Sequence, residues 1–282
     1  MPHVVEAVTP AATHAYGART PVVMLHASLS CKSQWDQLAL RIAPRFEALA
    51  LDLVGYGGGA LPAPAPSFTI DDEVRHVEGR IKALAGGRRY HLVGHSYGGL
   101  VAMRLAQRDP TRVASLAIYE PAAFRLLSDD DPAHADLRAV AERVQRHVGA
   151  GRNLDAAQAF VDYWNGGGYF ASLPAPTRHA IARRAAKVVL DFQAAMRWPA
   201  HPSELRAIAA PTLLLVGNEG HALTQRIAGR IVSALGDCRL RACDAGHLGP
   251  IAAPAIVNPW IEAFLDECER SAHRAAPAVA SA

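Results

Sequence analysis

One stretch limits the fold more than any other: Tyr90-His91-Leu92-Val93-Gly94-His95-Ser96-Tyr97-Gly98-Gly99-Leu100-Val101-Ala102. A short apolar run leads in and an Ala/Leu-rich amphipathic run leads out. It reads as strand, sharp turn and helix, with a serine at the apex. Such a turn strains the serine backbone, and a Cβ at Gly94 or Gly98 would crowd it. The strain lifts the hydroxyl clear of the sheet edge. The new helix points free N–H groups at the same spot, which favours developing negative charge. The chain holds 22 glycines, enough for Gly-x-Ser-x-Gly to arise by chance. Chance rarely sets it between an apolar strand and a helix of the right length, so Ser96 is the candidate nucleophile.

The surrounding rhythm is that of an α/β sheet. Strands are predicted at Pro21–His26, Phe46–Val54, Tyr90–Val93 and Val113–Tyr119. Helices are predicted at Ser33–Ile42, Ile70–Leu84 (with Thr69 as N-cap) and from the serine turn to Gln107. Short continuous apolar strands between amphipathic helices imply a mostly parallel sheet covered on both faces. The alternation then stops. From Phe124 to Arg206 the pattern is helical, with one stripe at Leu137, Val140, Ala141, Val144 and Val148 and another at Ile181, Ala185, Val188, Phe192 and Met196. Between them, Phe160–Phe170 is aromatic, carries Gly166-Gly167-Gly168 as a hinge, and fits no regular pattern. Sheet rhythm resumes with a strand at Thr212–Val216, a helix at Leu223–Leu235, a strand at Arg239–Cys243 and a last helix at Ala253–Glu269, broken at Asn258-Pro259. The expected organisation is a core of residues 1–123 and 207–270, a helical cap at 124–206 and a disordered tail at 271–282.

Composition narrows the function classes. Net charge is +3, too weak for a nucleic-acid surface. Arg178, Arg183, Arg184 and Lys187 fall on one predicted helix and read as a solvated face. Cys31, Cys238, Cys243 and Cys268 lack metal-ligand spacing, and Cys238 and Cys243 should face opposite ways on one strand. No signal peptide or transmembrane run is visible, so a cytoplasmic protein is expected that binds neither membrane nor nucleic acid. Its partner is a small-molecule substrate, and a homodimer is compatible with the chain. Gly55-Tyr56-Gly57-Gly58-Gly59-Ala60 fits a dinucleotide fingerprint only formally. Leu61-Pro62-Ala63-Pro64-Ala65-Pro66 follows, which cannot supply the helix the fingerprint needs. A loop at the carboxyl edge of the sheet is the better reading.

A serine hydroxyl needs a base. Of 13 histidines, His247 stands out in Asp244-Ala245-Gly246-His247-Leu248-Gly249-Pro250, a small-residue loop after the last strand, at the same sheet edge as Ser96. His95 reads as a packed structural histidine and His26 as a residue fixing its neighbouring loop.

Elbow, helical insert and late Gly246-His247 together resemble the α/β-hydrolase superfamily with a serine nucleophile. The resemblance covers residues 13 to 269 and implies an eight-stranded-type sheet. His26-Ala27-Ser28-Leu29-Ser30 is similar to the family's oxyanion loop, with Ala27 where glycine is more usual. It implies an oxyanion hole made by the N–H groups of Ser28 (or Leu29) and Tyr97, and it implies no metal or organic cofactor. The family usually places an aspartate after the strand ending Leu215-Val216-Gly217, where this chain reads Asn218-Glu219-Gly220-His221. That slot looks like Gly220. Glu219 is one residue off. Glu120, in Ile118-Tyr119-Glu120-Pro121, stands at a strand end where some members, including certain haloalkane dehalogenases, keep their acid. Glu120 is the expected acid for orienting His247, with Glu219 the alternative; the other reading of Glu120 is an ion pair stapling the insert to the sheet. Those dehalogenases use an aspartate nucleophile, which argues against carbon–halogen cleavage here. Leu29, Trp164, Phe170 and Leu248 are the expected pocket residues. Tyr163, Tyr169 and Trp198 either join them or pack the insert's own core. Three readings stand: an esterase-type serine hydrolase cleaving a small or medium apolar ester or a C–C bond beside a carbonyl; a cofactor-free lyase, acyltransferase or perhydrolase; or a binding protein with a vestigial triad.

Overall fold

The computed structural model describes residues 19–62, 68–128, 130–198 and 202–275. Six strands form one sheet: β1 (Pro21–Leu25), β2 (Glu47–Leu51), β3 (Tyr90–His95), β4 (Val113–Tyr119), β5 (Thr212–Gly217) and β6 (Cys238–Cys243). Their spatial order is β2-β1-β3-β4-β5-β6 and every pairing is parallel. The expected eight-stranded type is thus represented by six strands among the described residues. The order reverses direction between β1 and β3, so the carboxyl end of β3 opens onto the crevice where α/β sheets bind ligands.

The helices are α1 (Asp36–Ile42), α2 (Ile70–Ala85), α3 (Tyr97–Arg108), α4 (Pro132–Gly149), α5 (Asn153–Asn165), α6 (Tyr169–Ser172), α7 (Ala175–Ala182), α8 (Ala185–Arg197), α9 (Pro202–Leu205), α10 (Ala222–Ala234), α11 (Gly249–Ala252) and α12 (Pro254–Ala275). Alternation along the strands sorts them into two layers. Val22 and Met24 face a core with Leu38 and Ile42 of α1 and Ile261 and Leu265 of α12. Val23 and Leu25 face the other core with α2, α3 and α10. The second core runs on without a break into α4, α5 and α8 through Leu137, Trp164 and Phe192. Helices α4–α9 lie in the chain between β4 and β5; α5–α8 border the carboxyl edge at Ser96, whereas α9 meets the far end of α3, where Gln107 Nε2 donates to Glu204 O (3.3 Å). Thr69 caps α2 in a capping box with Asp72, as its position ahead of three acidic residues predicts.

Several expectations change. Residues 160–165 are regular, the last turns of α5. Gly166 ends that helix at φ +93° and Gly168 starts α6 at φ +86°, conformations suited to glycine. The second predicted stripe spans two helices, broken at Arg183–Arg184. Pro259 does not break α12: one backbone bond is lost, but Val257, Ile261, Phe264 and Leu265 stay buried on one face and hold the helix together. That helix also carries the expected tail as far as Ala275; the rest of 271–282 lies outside the described residues. The strand expected to reach Val54 stops at Leu51, because β2 is the sheet edge and has a single partner. Cys238 packs on one core and Cys243 in the other, as their spacing requires, and all four cysteines are free. Among the described residues no helix is long and apolar enough to cross a membrane.

Candidate active site

The β3–α3 junction is as tight as its glycines suggest. Ser96 has φ 52° and ψ −117° and directly precedes α3. Its N–H donates to Tyr119 O (3.0 Å), and its carbonyl accepts from Leu100 N (3.1 Å) and Ala122 N (3.0 Å). A Cβ on Gly94 would stand 2.6 Å from Gly98 O, and one on Gly98 2.5 Å from Leu25 O. Backbone therefore fills both glycine positions, and the serine alone projects from the turn.

His247 reaches that serine from the loop after β6. Its Nε2 lies 3.1 Å from Ser96 Oγ, and its Nδ1 lies 2.6 Å from Glu120 Oε2. A carboxylate only accepts, so Nδ1 carries the proton and Nε2 is left free to accept the serine hydroxyl. All three side chains are buried. Glu120 stands at the end of β4 with φ 41°, its N–H bonded to Leu215 O (3.0 Å) and its Oε1 accepting from Gly217 N (2.9 Å). One carboxylate oxygen is thus fixed by the backbone and the other faces the imidazole. Glu219 is exposed and takes no part. A Cβ on Gly220 would come within 2.5 Å of Glu120 Oε1, so the slot expected for an aspartate is occupied by a carboxylate arriving from β4.

Neighbours hold His247 in place. Tyr119 donates to Gly246 O (2.7 Å), and His95 Nε2–H donates to the carbonyl of His247 (2.8 Å). His95 is packed, as expected, and burial first, then the nearby His247, holds its pKa well below the usual imidazole range. Trp164 lies nearly parallel to the His247 ring, centroids 4.7 Å apart and planes at 24°. Stacking limits the imidazole to small in-plane movements. His26 donates from Nδ1 to Ala27 O (2.7 Å), and its Nε2 accepts from Leu53 N (3.1 Å), which ties the loop after β1 to the loop after β2. Burial is the main reason its pKa falls to about 4.

The two residues expected to form the oxyanion hole share a support that the sequence reading missed. Ser28 Oγ donates to Asp191 Oδ2 (2.6 Å), and Tyr97 OH donates to Glu73 Oε2 (3.3 Å). Lys187 bridges the two carboxylates, 2.9 Å from Glu73 Oε2 and paired with Asp191. Tyr56 adds a bond to Asp191 Oδ2 (2.5 Å). The lysine is fully buried, against the expected solvated face, and sits among the rings of Tyr56, Phe68 and Tyr97. Burial alone would strip its proton; Asp191 and Glu73 outweigh that and hold its pKa up. Burial, reinforced by Asp191, pushes the Glu73 carboxyl up. A signal was present: Lys187 and Asp191 are four apart on the apolar stripe of α8, where charges survive only in pairs.

Ser96 opens onto two spaces. A chamber of about 240 Å³ is bordered by Leu29, Trp164, Tyr169, His247 and Leu248. A recess of about 20 Å³ is bordered by Ser28, Tyr97, Phe124, Trp164 and Phe192. Leu29, Trp164 and Leu248 therefore stand where expected, Leu29 at φ 63°. Phe170 does not border either space. It is buried in the core under α5, its N–H bonded to Asp162 Oδ1 (2.7 Å). Trp198 is likewise core, and Tyr163 packs on His221, ring centroids 4.6 Å apart. The insert's aromatics divide between pocket and core because α5 and α6 present opposite sides to each.

Comparison with known proteins agrees with this fold. The Alpha/beta hydrolase family pattern matches residues 22–260. A 2-succinyl-6-hydroxy-2,4-cyclohexadiene-1-carboxylate synthase from Serratia proteamaculans is 31% identical over 261 residues, covering 86% of this chain and 92% of that protein. A haloalkane dehalogenase from Agrobacterium fabrum is 30% identical over 115 residues, 41% of this chain and 37% of the relative. The chain spans well under half the length of the first curated relatives it matches, from 12% to 37% of each. Among solved structures, a hydrolase from Pseudomonas aeruginosa superposes with a TM-score of 0.71 at 22% identity, covering 88% of this chain and 91% of that one. A thermophilic esterase from Thermogutta terrifontis gives 0.68 at 23%, covering 88% and 90%. The parallel sheet, the strained serine turn and a family match over most of the chain lead to one conclusion: this chain belongs to the alpha/beta hydrolase family.

Proposed function

We propose that the protein is a serine hydrolase that cleaves a carboxylic ester through an acyl-enzyme. The observation that carries this reading is the unbroken relay from Ser96 Oγ through His247 to Glu120, with both links within hydrogen-bond distance. Ser96 Oγ attacks the carbonyl carbon and its proton passes to His247 Nε2. Glu120 stabilises the resulting imidazolium. The N–H groups of Ser28 and Tyr97 receive the oxyanion, each worth about 3–4 kcal/mol in the transition state. Histidine then protonates the leaving oxygen, and water, deprotonated by the same nitrogen, releases the acid. Helices α4–α8 act as the lid that excludes bulk water.

A second reading is favoured by the synthase from Serratia proteamaculans, which matches nearly end to end. In that reading the same groups act without hydrolysis, and His247 serves as a base on the substrate. The matched dehalogenase argues for neither, because Ser96 stands where an aspartate nucleophile would be needed. A fluorophosphonate probe separates the readings. Labelling of the wild type that is absent in Ser96→Ala, together with ester turnover, supports the hydrolase. Turnover of no ester by a protein that labels at Ser96 favours the non-hydrolytic reading. Absence of labelling in folded protein overturns the hydrolase reading.

A further inference from the structure

The loop after β1 is held in an unfavourable shape, and part of what holds it comes from the insert. Leu29 has φ 63°, a conformation that a leucine keeps only when its surroundings impose it. The ends of the loop are tied within the core: Ala27 N–H donates to Gln34 Oε1 (3.1 Å) and Ser30 N–H to Ala27 O (3.2 Å). The middle is tied to α8. Ser28 Oγ donates to Asp191 Oδ2 (2.6 Å), and Arg184, the N-cap of that helix, donates from Nη1 to Leu29 O (3.3 Å). The Leu29 N–H is directed at Tyr56 OH, which is itself bonded to Asp191. Among the described residues the Ser28 N–H has no protein acceptor, and Ser28 borders the same space as Ser96. It is the N–H of this loop left to receive an oxyanion.

Asp191 is itself rigidly held. Its Oδ2 accepts from Ser28 and Tyr56, its Oδ1 accepts from Lys187, and Lys187 reaches on to Glu73 Oε2 (2.9 Å). Glu73 Oε1 in turn accepts from Val54 N (2.6 Å), so the chain of contacts ends on the backbone of the loop after β2. Asp191, Lys187 and Glu73 are all buried, and none can turn aside without leaving a charge unpaired. The bond from Ser28 Oγ to a carboxylate is of the strong, charge-assisted kind and locks the serine rotamer. Ser28 is then pinned at its side chain and at the residues on both sides, which leaves its N–H one direction to point.

Resting on the serine-hydrolase reading above, we infer that Asp191 is a positioning residue for the oxyanion hole: through Ser28 Oγ it aims the Ser28 N–H at the oxyanion. A helix of the insert thereby completes a catalytic element that begins in the sheet. Asp191 acts through Ser28 and not on the substrate. Its effect is felt in the transition state, where the substrate oxygen carries charge, and hardly in the ground state, where the carbonyl is neutral. Lys187 serves Asp191 in turn, as the cation that makes a carboxylate tolerable at that depth.

The test compares the wild type, Ser28→Ala, Asp191→Asn and the double variant. Ester kcat and KM, the Ki of a trifluoromethyl ketone and the rate of fluorophosphonate labelling at Ser96 are measured for each, with its urea midpoint. Ser28→Ala keeps the N–H and removes the link to Asp191. Its kcat should fall by about 10- to 100-fold, less than the loss of a whole donor, with KM within about twofold. The ketone, whose adduct with Ser96 bears the same oxyanion, should lose affinity by the same factor. Asp191→Asn should behave alike, since one amide oxygen is left for Ser28, Tyr56 and Lys187 together. The double variant should stay within about twofold of the slower single variant, because both changes break one link. Wild-type kcat and ketone affinity in Ser28→Ala overturn the inference. So do losses that multiply in the double variant, or a loss confined to KM. Should Asp191→Asn fail to fold, Ser28→Ala decides alone. A labelled, active wild type with an unimpaired Ser28→Ala removes this inference and leaves the hydrolase reading intact. A wild type that neither turns over esters nor is labelled at Ser96 removes both.

Discussion

Gly220 has no side chain because the carboxylate of Glu120 is already there: an added Cβ would stand 2.5 Å from Oε1. The two positions are complementary halves of one arrangement. The acid reaches His247 from the end of β4, and the later loop gives up a side chain to admit it. Glu120→Gln should therefore lower kcat by about 10³- to 10⁴-fold, since an amide no longer fixes the tautomer or stabilises the imidazolium. Glu219→Gln should change kcat by less than about twofold. Steady-state kinetics on the two variants decides, and a dead Glu219→Gln would refute the geometry.

The same complementarity makes relocation feasible. Glu120→Gly vacates the space, and Gly220→Asp restores a carboxylate from the other loop. The double variant should recover at least about tenfold in kcat over Glu120→Gly alone, because only the double variant pairs an acid with Nδ1. A double variant no better than the single one would show that the β5 loop cannot aim a carboxylate at His247.

Lys187 neutralises two carboxylates that it alone bridges. Lys187→Met leaves Glu73 and Asp191 buried and facing each other, which should cost about 3–5 kcal/mol, read as a lower urea midpoint. Adding Glu73→Gln and Asp191→Asn should return part of that loss, since the uncompensated charge goes with them. If the triple variant is less stable than Lys187→Met, charge is not what the lysine supplies.

Acid should destabilise the fold in a defined window. His26 has a folded pKa near 4, against an ordinary 6.5. Its folded value is depressed, so the unfolded chain binds the extra proton between those values, and stability rises with pH there. The contribution is complete above about pH 6.5 and is lost as pH falls toward 4, up to about 3 kcal/mol. Buried His95 acts in the same direction. Urea unfolding at pH 7, 5.5 and 4.5 measures the slope, and His26→Gln should flatten it. A midpoint independent of pH over this range would refute the assignment.

What could be read from the chain was what local pattern dictates. The elbow at Gly94–Gly98, the late His247 and the alternation of strands and helices each follow from residue spacing. Glu120 was readable only as one of two acids, because the choice depends on its contact with His247, 127 positions away. Lys187 was misread because its own neighbourhood is basic; its partners Glu73 and Asp191 come from a distant helix and from one turn further along. Pro259 suggested a break where the buried face of α12 overrides a single missing bond. Phe160–Asn165 looked irregular because the glycines that follow hide the end of a regular helix.

The insert and the sheet share one buried cluster, running from Val23 and Leu25 through Phe124 and Phe192 to Trp198. Lifting α4–α9 away as a flap would bring those side chains to water, at about 2 kcal/mol for each large one. Access to the chamber is then expected without lifting the insert, past lining residues that reach the surface, such as Thr177 and Ile251. Turnover would then be paced by passage along a wall that stays in place, and the side chains on that path would set which molecules reach Ser96.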